Sequence, residues 1–213
     1  MNPELVDAVA GVGGRLGGSI LGLRRTEALA AGRSLIDAGA RIHVDLIDQG
    51  YPMRRGVSAS IVAALPESWL PSVELHYMVA DTPTIEPRPG VGRVIVHRSP
   101  GRRDAVPLHV RTAAQLWVSI EPQDWDACAL DELLDELRPE GALMMLVAPA
   151  AADQTADLSR VRSPAWVHLR AKLPLGVDGG VVASIVPTLA EAGIEYFVGG
   201  RALFRASPSM RRR

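Results

Sequence analysis

The chain has 213 residues, 47% of them hydrophobic, and a formal net charge of −1. A chain of this length can bury a substantial core as one domain, and its near-neutral charge excludes a broad basic field for nucleic acid. One cysteine excludes an internal disulfide framework and a cysteine-built zinc cluster, and no run approaches the roughly 20 apolar residues of a bilayer span, so a soluble, cytoplasmic protein with no membrane partner is expected.

GVGGRLGG at 11–18 reads as a flexible lead-in to a first strand, GGSIL at 17–21. A dinucleotide fingerprint would follow its strand instead of preceding it, so that reading is weak. TEALAAGRSLIDAG (26–39) has helical spacing, RIHVDLI (41–47) alternates as a strand, and VSASIVAAL (57–65) is again helical. VELHYMV (73–79), RVIVHR (93–98) and QLWVSI (115–120) read as strands, separated by Pro-, Gly- and Arg-rich loops near 84–92 and 98–107 that are too short for domain linkers. WDACALDELLDELRPEG (125–141) is a helix carrying Cys128 as a small core residue, and ALMMLV (142–147) a strand. Between 148 and 172 the pattern is ambiguous: AWVHLRAKL suits either element, and Pro164 breaks a helix unless it opens one. Lys172, the single lysine, reads as solvated, which leaves little scope for Schiff-base chemistry.

LGVD (175–178), the helical VVASIVPTLAEAG (181–193) and YFVG (196–199) complete the pattern. Gly39, Gly141 and Gly193 each follow an apolar periodic stretch, as expected of a left-handed residue that ends a helix. The remainder, RALFRASPSMRRR, is short for a full final helix, which suggests that a second copy covers that side in a homo-oligomer. Its basic end, 211–213, reads as a solvated tail.

Eight strands alternating with helices pair in parallel, and in just over 200 residues they suit a single-domain α/β (β/α)8 TIM barrel, with a doubly wound open sheet as the alternative. Side chains alternate faces along a strand, so His43 and Asp45 point together, as do Glu74, His76 and Met78, while Asp178 ends an apolar strand. Two imidazoles and two carboxylates converging on a barrel mouth make a mixed N/O set suited to one divalent ion: zinc, iron, manganese or cobalt. Taken singly, each has an ordinary structural reading, as a satisfied core histidine or a helix cap.

RIHVDLID, VELHYMV, and GVDGG followed by AGIEYFVGGRALF stand in the order and spacing of the signatures of the ribulose-phosphate 3-epimerase family, and SIL at 19–21 resembles its first-strand motif. This resemblance implies a (β/α)8 barrel with a divalent metal held by His43, Asp45, His76 and Asp178. Asp45 and Asp178 would also be the acid and base that move the proton at C3 of a keto sugar, through an enediolate stabilised by the metal. It also implies substrate contacts from Ser19, Met78, Met145, Gln154, Gly179, Gly180, Gly199, Gly200 and Arg201. For Met78 and Met145 core packing is an equal alternative, and His97, where the family also tends to carry histidine, reads as structural.

The chain also departs from the family pattern. Where the family carries a phosphate loop P-G-F-G-G-Q, PAAADQ at 149–154 keeps only Pro149 and Gln154. Three alanines restrict the backbone geometry that closes on an anion, and Asp153 adds a like charge. Arg201 replaces a serine and could supply a charged fork to phosphate or carboxylate. In DQGYPMRRG (48–56), Arg54 or Arg55 could reach the substrate. The expected partner is therefore a small-molecule sugar or sugar phosphate, with ribulose 5-phosphate itself in doubt. A catalytically silent barrel acting as a binding or scaffold subunit, and a metal-dependent aldolase or decarboxylase, are the alternatives.

Overall fold

The computed structural model describes residues 1–47, 56–79, 88–98, 115–121, 124–148 and 155–204. Asp48, Arg54, Arg55, the 149–154 loop with Gln154, the loop at 98–107 beyond Arg98, and the 211–213 tail lie outside the described residues. Eight strands, β1 (Arg15–Ser19), β2 (Arg41–Ile47), β3 (Val73–Met78), β4 (Arg93–Arg98), β5 (Gln115–Ile120), β6 (Gly141–Met145), β7 (Leu175–Asp178) and β8 (Ile194–Gly199), close into a barrel in sequence order, and β1 pairs with β8. Every pairing is parallel, so the barrel expectation holds and the open sheet is excluded.

Alternation along each strand divides the residues between two environments. Ile42, Val44 and Leu46 of β2, Leu75 and Tyr77 of β3, and Val94 and Val96 of β4 face outward into the large apolar layer beneath the helices. Inside the barrel, Ile95, Trp117, Leu143, Tyr196 and Val198 form a separate apolar cluster. Other inward positions carry polar groups: His43, Asp45, Glu74, His76, Arg93, His97 and Ser119 are all buried.

The helices carry local signals that match their ends. In α1 (Pro3–Gly11), Asn2 accepts from the Glu4 N–H and proline holds the first position. In α2 (Arg25–Asp37), Glu27 reaches back to the Arg24 N–H, and Gly39 follows with φ 68°. After α3 (Ala59–Ala64), α4 (Ala127–Leu137) is capped by Asp126 and buries Leu130, Leu133 and Leu137, one stripe at helical spacing. Ser163 and Pro164 open α5 (Pro164–Arg170), so the ambiguous AWVHLR segment is helix. α6 (Val186–Glu191) and the single turn α7 (Arg201–Phe204) complete the set. No helix among the described residues is long and apolar enough to cross a membrane.

Several expectations need correction. The first strand runs from Arg15 to Ser19, two residues earlier than expected, so Arg15 and Leu16 are sheet residues and not part of a flexible lead-in, while Gly22, with φ 79°, turns the chain after it. The helix α1 was not expected; it lies beside α7, where the Asn2 N–H donates to the Leu203 carbonyl at 2.6 Å and Leu5 is fully buried. Gly141 does not end a helix. Arg138 takes the left-handed position, φ 49°, and Gly141 begins β6 instead. Cys128 is exposed, off the Leu130–Leu133–Leu137 stripe. Lys172 is exposed, as expected, and pairs with Asp131.

Gly141 has a packing role: a Cβ there would stand 2.3 Å from the Trp117 ring. Gly141→Ala should cost about 1–3 kcal/mol by overpacking the barrel interior. Urea unfolding measures this against Gly11→Ala, whose added methyl meets nothing within 4 Å and which should unfold like the wild type.

Candidate functional site

β2, β3 and β7 bring His43, Asp45, His76 and Asp178 to one point inside the barrel. One donor atom from each lies within 4.8 Å of all the others. His43 Nε2 is 3.1 Å from Asp45 Oδ1 and 3.7 Å from Asp178 Oδ2; His76 Nδ1 is 3.3 Å and 3.8 Å from the same two oxygens. The register explains the meeting, since Asp45 lies opposite His76 across the β2–β3 ladder. Both imidazoles are fully buried, and only Asp178, with its side chain 15% exposed, reaches toward the outside.

This donor set fits a metal ion. An ion bound at about 2.0–2.2 Å to each nitrogen and oxygen needs neighbouring donors roughly 3–4 Å apart, and the four distances above fall in that range. Both ring nitrogens of His76 are buried and make no hydrogen bond among the described residues, a costly arrangement that a ligand to Nδ1 would relieve. Two ionised aspartates would balance the charge of one divalent cation. The groups that could hold the ion are therefore His43 through Nε2, His76 through Nδ1, and one oxygen each of Asp45 and Asp178.

The electrostatics of the two aspartates differ. Burial opposes charge on Asp45, but the His43 and His76 imidazoles outweigh it and hold the carboxyl well below the usual carboxylate range. Burial pushes Asp178 up from 3.8 to about 6; the Asp45 and Glu74 charges add to the shift, and the imidazoles oppose it. Burial also works against protonation of His43, yet Asp45 and Glu74 raise its pKa well above the usual 6.5.

A second layer of partners lies around these four. Ser19 Oγ donates to Asp45 Oδ2 at 2.7 Å, so Ser19 orients a candidate ligand in addition to lining the mouth. His43 Nδ1 is 2.6 Å from Glu74 Oε1, and Glu74 in turn pairs with Arg93 at 3.0 Å and accepts from the Tyr196 hydroxyl. Sequence reasoning placed Glu74 on the His76 face but gave it no task, and it overlooked Arg93 and Tyr196, whose partners are distant in the chain. His97 stands beside His76, with ring centroids 6.0 Å apart.

The other expected site residues are spread around the same barrel end. Met78 and Met145 are buried at the ends of β3 and β6, and Met145 lies opposite Asp178 in the ladder. Gly179 and Gly180 follow Asp178 with φ 102° and 68°; a Cβ on either would strike Val147 or the Ala156 backbone nitrogen. Gly199 ends β8 opposite Gly18, next to Ser19, and Gly200 leads into α7, which begins at the exposed Arg201.

Metal binding would displace the proton on Asp178 and one on His43 Nε2, so affinity should rise with pH. From Asp178 alone, calorimetric titration with Mn²⁺ should show about tenfold weaker binding at pH 5 than at pH 7, since a group titrating near 6 loses about one decade per pH unit below that value. In the metal-free protein the sign reverses: the raised Asp178 pKa adds stability that is fully present below pH about 4 and lost as pH rises through about 6. Among known proteins, no family model matches this chain and no curated protein matches it; the functional reading therefore rests on the residues at the barrel mouth and their geometry.

Proposed function

We propose that the protein is a metal-dependent isomerase that epimerises a keto sugar or keto sugar phosphate at C3, with Asp45 and Asp178 as the acid–base pair. The observation that carries this reading is the meeting, within 4.8 Å, of two carboxylates with two imidazoles at the barrel mouth, the two carboxylates differing in proton affinity before an ion binds: the imidazoles hold Asp45 ionised, whereas burial pushes Asp178 up to about 6. Paired groups whose environments push their pKa values apart suit acid–base work at neutral pH. The resemblance of the RIHVDLID, VELHYMV and GVDGG stretches to ribulose-phosphate 3-epimerases supports the same assignment.

Inversion at carbon needs one carboxylate to take a proton and another to return one from the opposite face. Asp45, oriented by Ser19, removes the proton next to the ketone; Asp178, the carboxylate of higher proton affinity and the one that reaches toward the outside, takes a proton from water and delivers it to the same carbon. The turnover leaves Asp45 protonated and Asp178 ionised, which is the starting state for the reverse reaction. A divalent ion, when bound, supplies stabilisation of the negative charge that develops on the sugar oxygens. Met78 and Met145 keep water from the reacting carbon, and Gly179, Gly180, Gly199, Gly200 and Arg201 form the rim available to the far end of the substrate. A soluble sugar as substrate fits a cytoplasmic protein.

The test is solvent exchange: ion-loaded protein is mixed with ribulose 5-phosphate in deuterium oxide and followed by NMR. Deuterium entering C3 together with formation of xylulose 5-phosphate is expected, and Asp178→Asn should slow both by about 10²–10⁴ while retaining the wild-type circular dichroism. Undiminished exchange in that variant would sink the two-aspartate mechanism. Metal binding with no exchange into ribulose 5-phosphate or other keto sugars would favour a binding or scaffold role.

A further inference from the structure

Beneath the candidate ligands, the barrel interior holds a polar chain that the proposed proton transfer does not use. Glu74 is fully buried and makes three contacts: Oε1 with His43 Nδ1 at 2.6 Å and with the Tyr196 hydroxyl, and Oε2 with Arg93 Nη1 at 3.0 Å. Arg93, 1% exposed, lies with its guanidinium carbon 3.8 Å from the Trp117 ring centroid and 4.9 Å from that of Tyr196. Its second terminal nitrogen meets Gln115 Oε1 at 3.4 Å. Burying a carboxylate and a guanidinium is expensive even when they are paired, and apolar residues of similar volume would commonly serve stability as well.

The backbone makes room for this chain. A Cβ on Gly17 would stand 2.0 Å from the Tyr196 hydroxyl oxygen and 3.3 Å from Glu74 Oε1. One on Gly176 would lie 2.9 Å from the Tyr196 ring, and one on Gly141 would press on Trp117. Three strands thus lack a side chain where the Tyr196 and Trp117 rings need space. An ionised carboxylate only accepts hydrogen bonds, so the proton between His43 and Glu74 belongs to Nδ1. That choice leaves Nε2, the nitrogen that faces Asp45 and Asp178, as the one able to bind a metal.

We infer that Glu74, held by Arg93 and Tyr196, is a positioning residue that fixes the ring and tautomer of His43 and thereby sets the affinity of the site for its divalent ion. The inference rests on the four-residue metal site proposed above but not on the identity of the reaction. A carboxylate behind a ligating histidine locks its orientation and raises its basicity, and losing such a partner lowers metal affinity by about 10–100-fold.

The experiment compares Zn²⁺ affinity in the full-length wild type, Glu74→Gln, Tyr196→Phe and the double variant Glu74→Gln/Arg93→Met. The double variant removes the unpaired buried guanidinium that could prevent Glu74→Gln from folding. Zinc affinity should fall about 10–100-fold in both Glu74 variants and by a smaller factor in Tyr196→Phe. In the zinc-loaded wild type, NMR of ¹⁵N-histidine-labelled protein should show His43 protonated at Nδ1, with that proton strongly deshielded by Glu74; the deshielding should vanish in the double variant, a change that lost packing alone would not produce. A folded double variant that binds Zn²⁺ as tightly as the wild type, with the Nδ1 proton unmoved, overturns the positioning role while leaving the site intact. A wild type that binds no Zn²⁺ removes the site and the positioning role together.

Discussion

The structure depends on how a barrel interior accommodates ionisable groups away from water. His43, His76, Asp45 and Glu74 are all 3% exposed or less. A charge in such surroundings must be paired, neutralised or bound to a metal. Glu74 solves the problem with Arg93, His43 and Tyr196. The cluster above it is left with two aspartates of opposite protonation tendency and an imidazole, His76, that makes no hydrogen bond among the described residues. One divalent cation would balance both aspartates and engage both imidazoles. Such an ion would account for the burial, the unbonded His76 Nδ1 and the donor spacing together.

The barrel makes this concentration of charge tolerable by keeping the two sides of each strand distinct. Outward apolar side chains from all eight strands join the layer under the helices, where burial contributes roughly 25 cal/mol for each Å² removed from water. The inward side is then free to carry function at one end and the Trp117–Arg93–Tyr196 stack below it. Room for that stack comes from missing side chains at Gly17, Gly141 and Gly176, so packing and site chemistry are coupled through backbone positions.

Much of this was legible in the sequence because period-two alternation is a local property. RIHVDLI places His43 and Asp45 on one face whatever the fold, and β2, β4, β5 and β7 occupy the spans that the alternation predicts. What escaped depends on contacts between distant segments. The Tyr196 hydroxyl meets a carboxylate 122 residues away, and nothing in IEYFVG marks that tyrosine as a support for the site. Gly141 was misread for a related reason: a glycine after a helical stretch looks like a helix stop, but here Trp117 on the neighbouring strand requires it. The helix α1 was concealed by the glycine run that follows it, although Asn2 and Pro3 carry a usual start signal and Leu5 and Val9 a buried face.

The central claim is that His43, Asp45, His76 and Asp178 hold one divalent ion. The most direct measurement is metal analysis after equilibrium dialysis against Zn²⁺, Mn²⁺, Co²⁺ and Fe²⁺ in turn, comparing the wild type with His43→Ala/His76→Ala. One ion per chain in the wild type and none above background in the double variant is the predicted result. No retained ion in a folded wild type, or equal retention by a folded double variant, would contradict it.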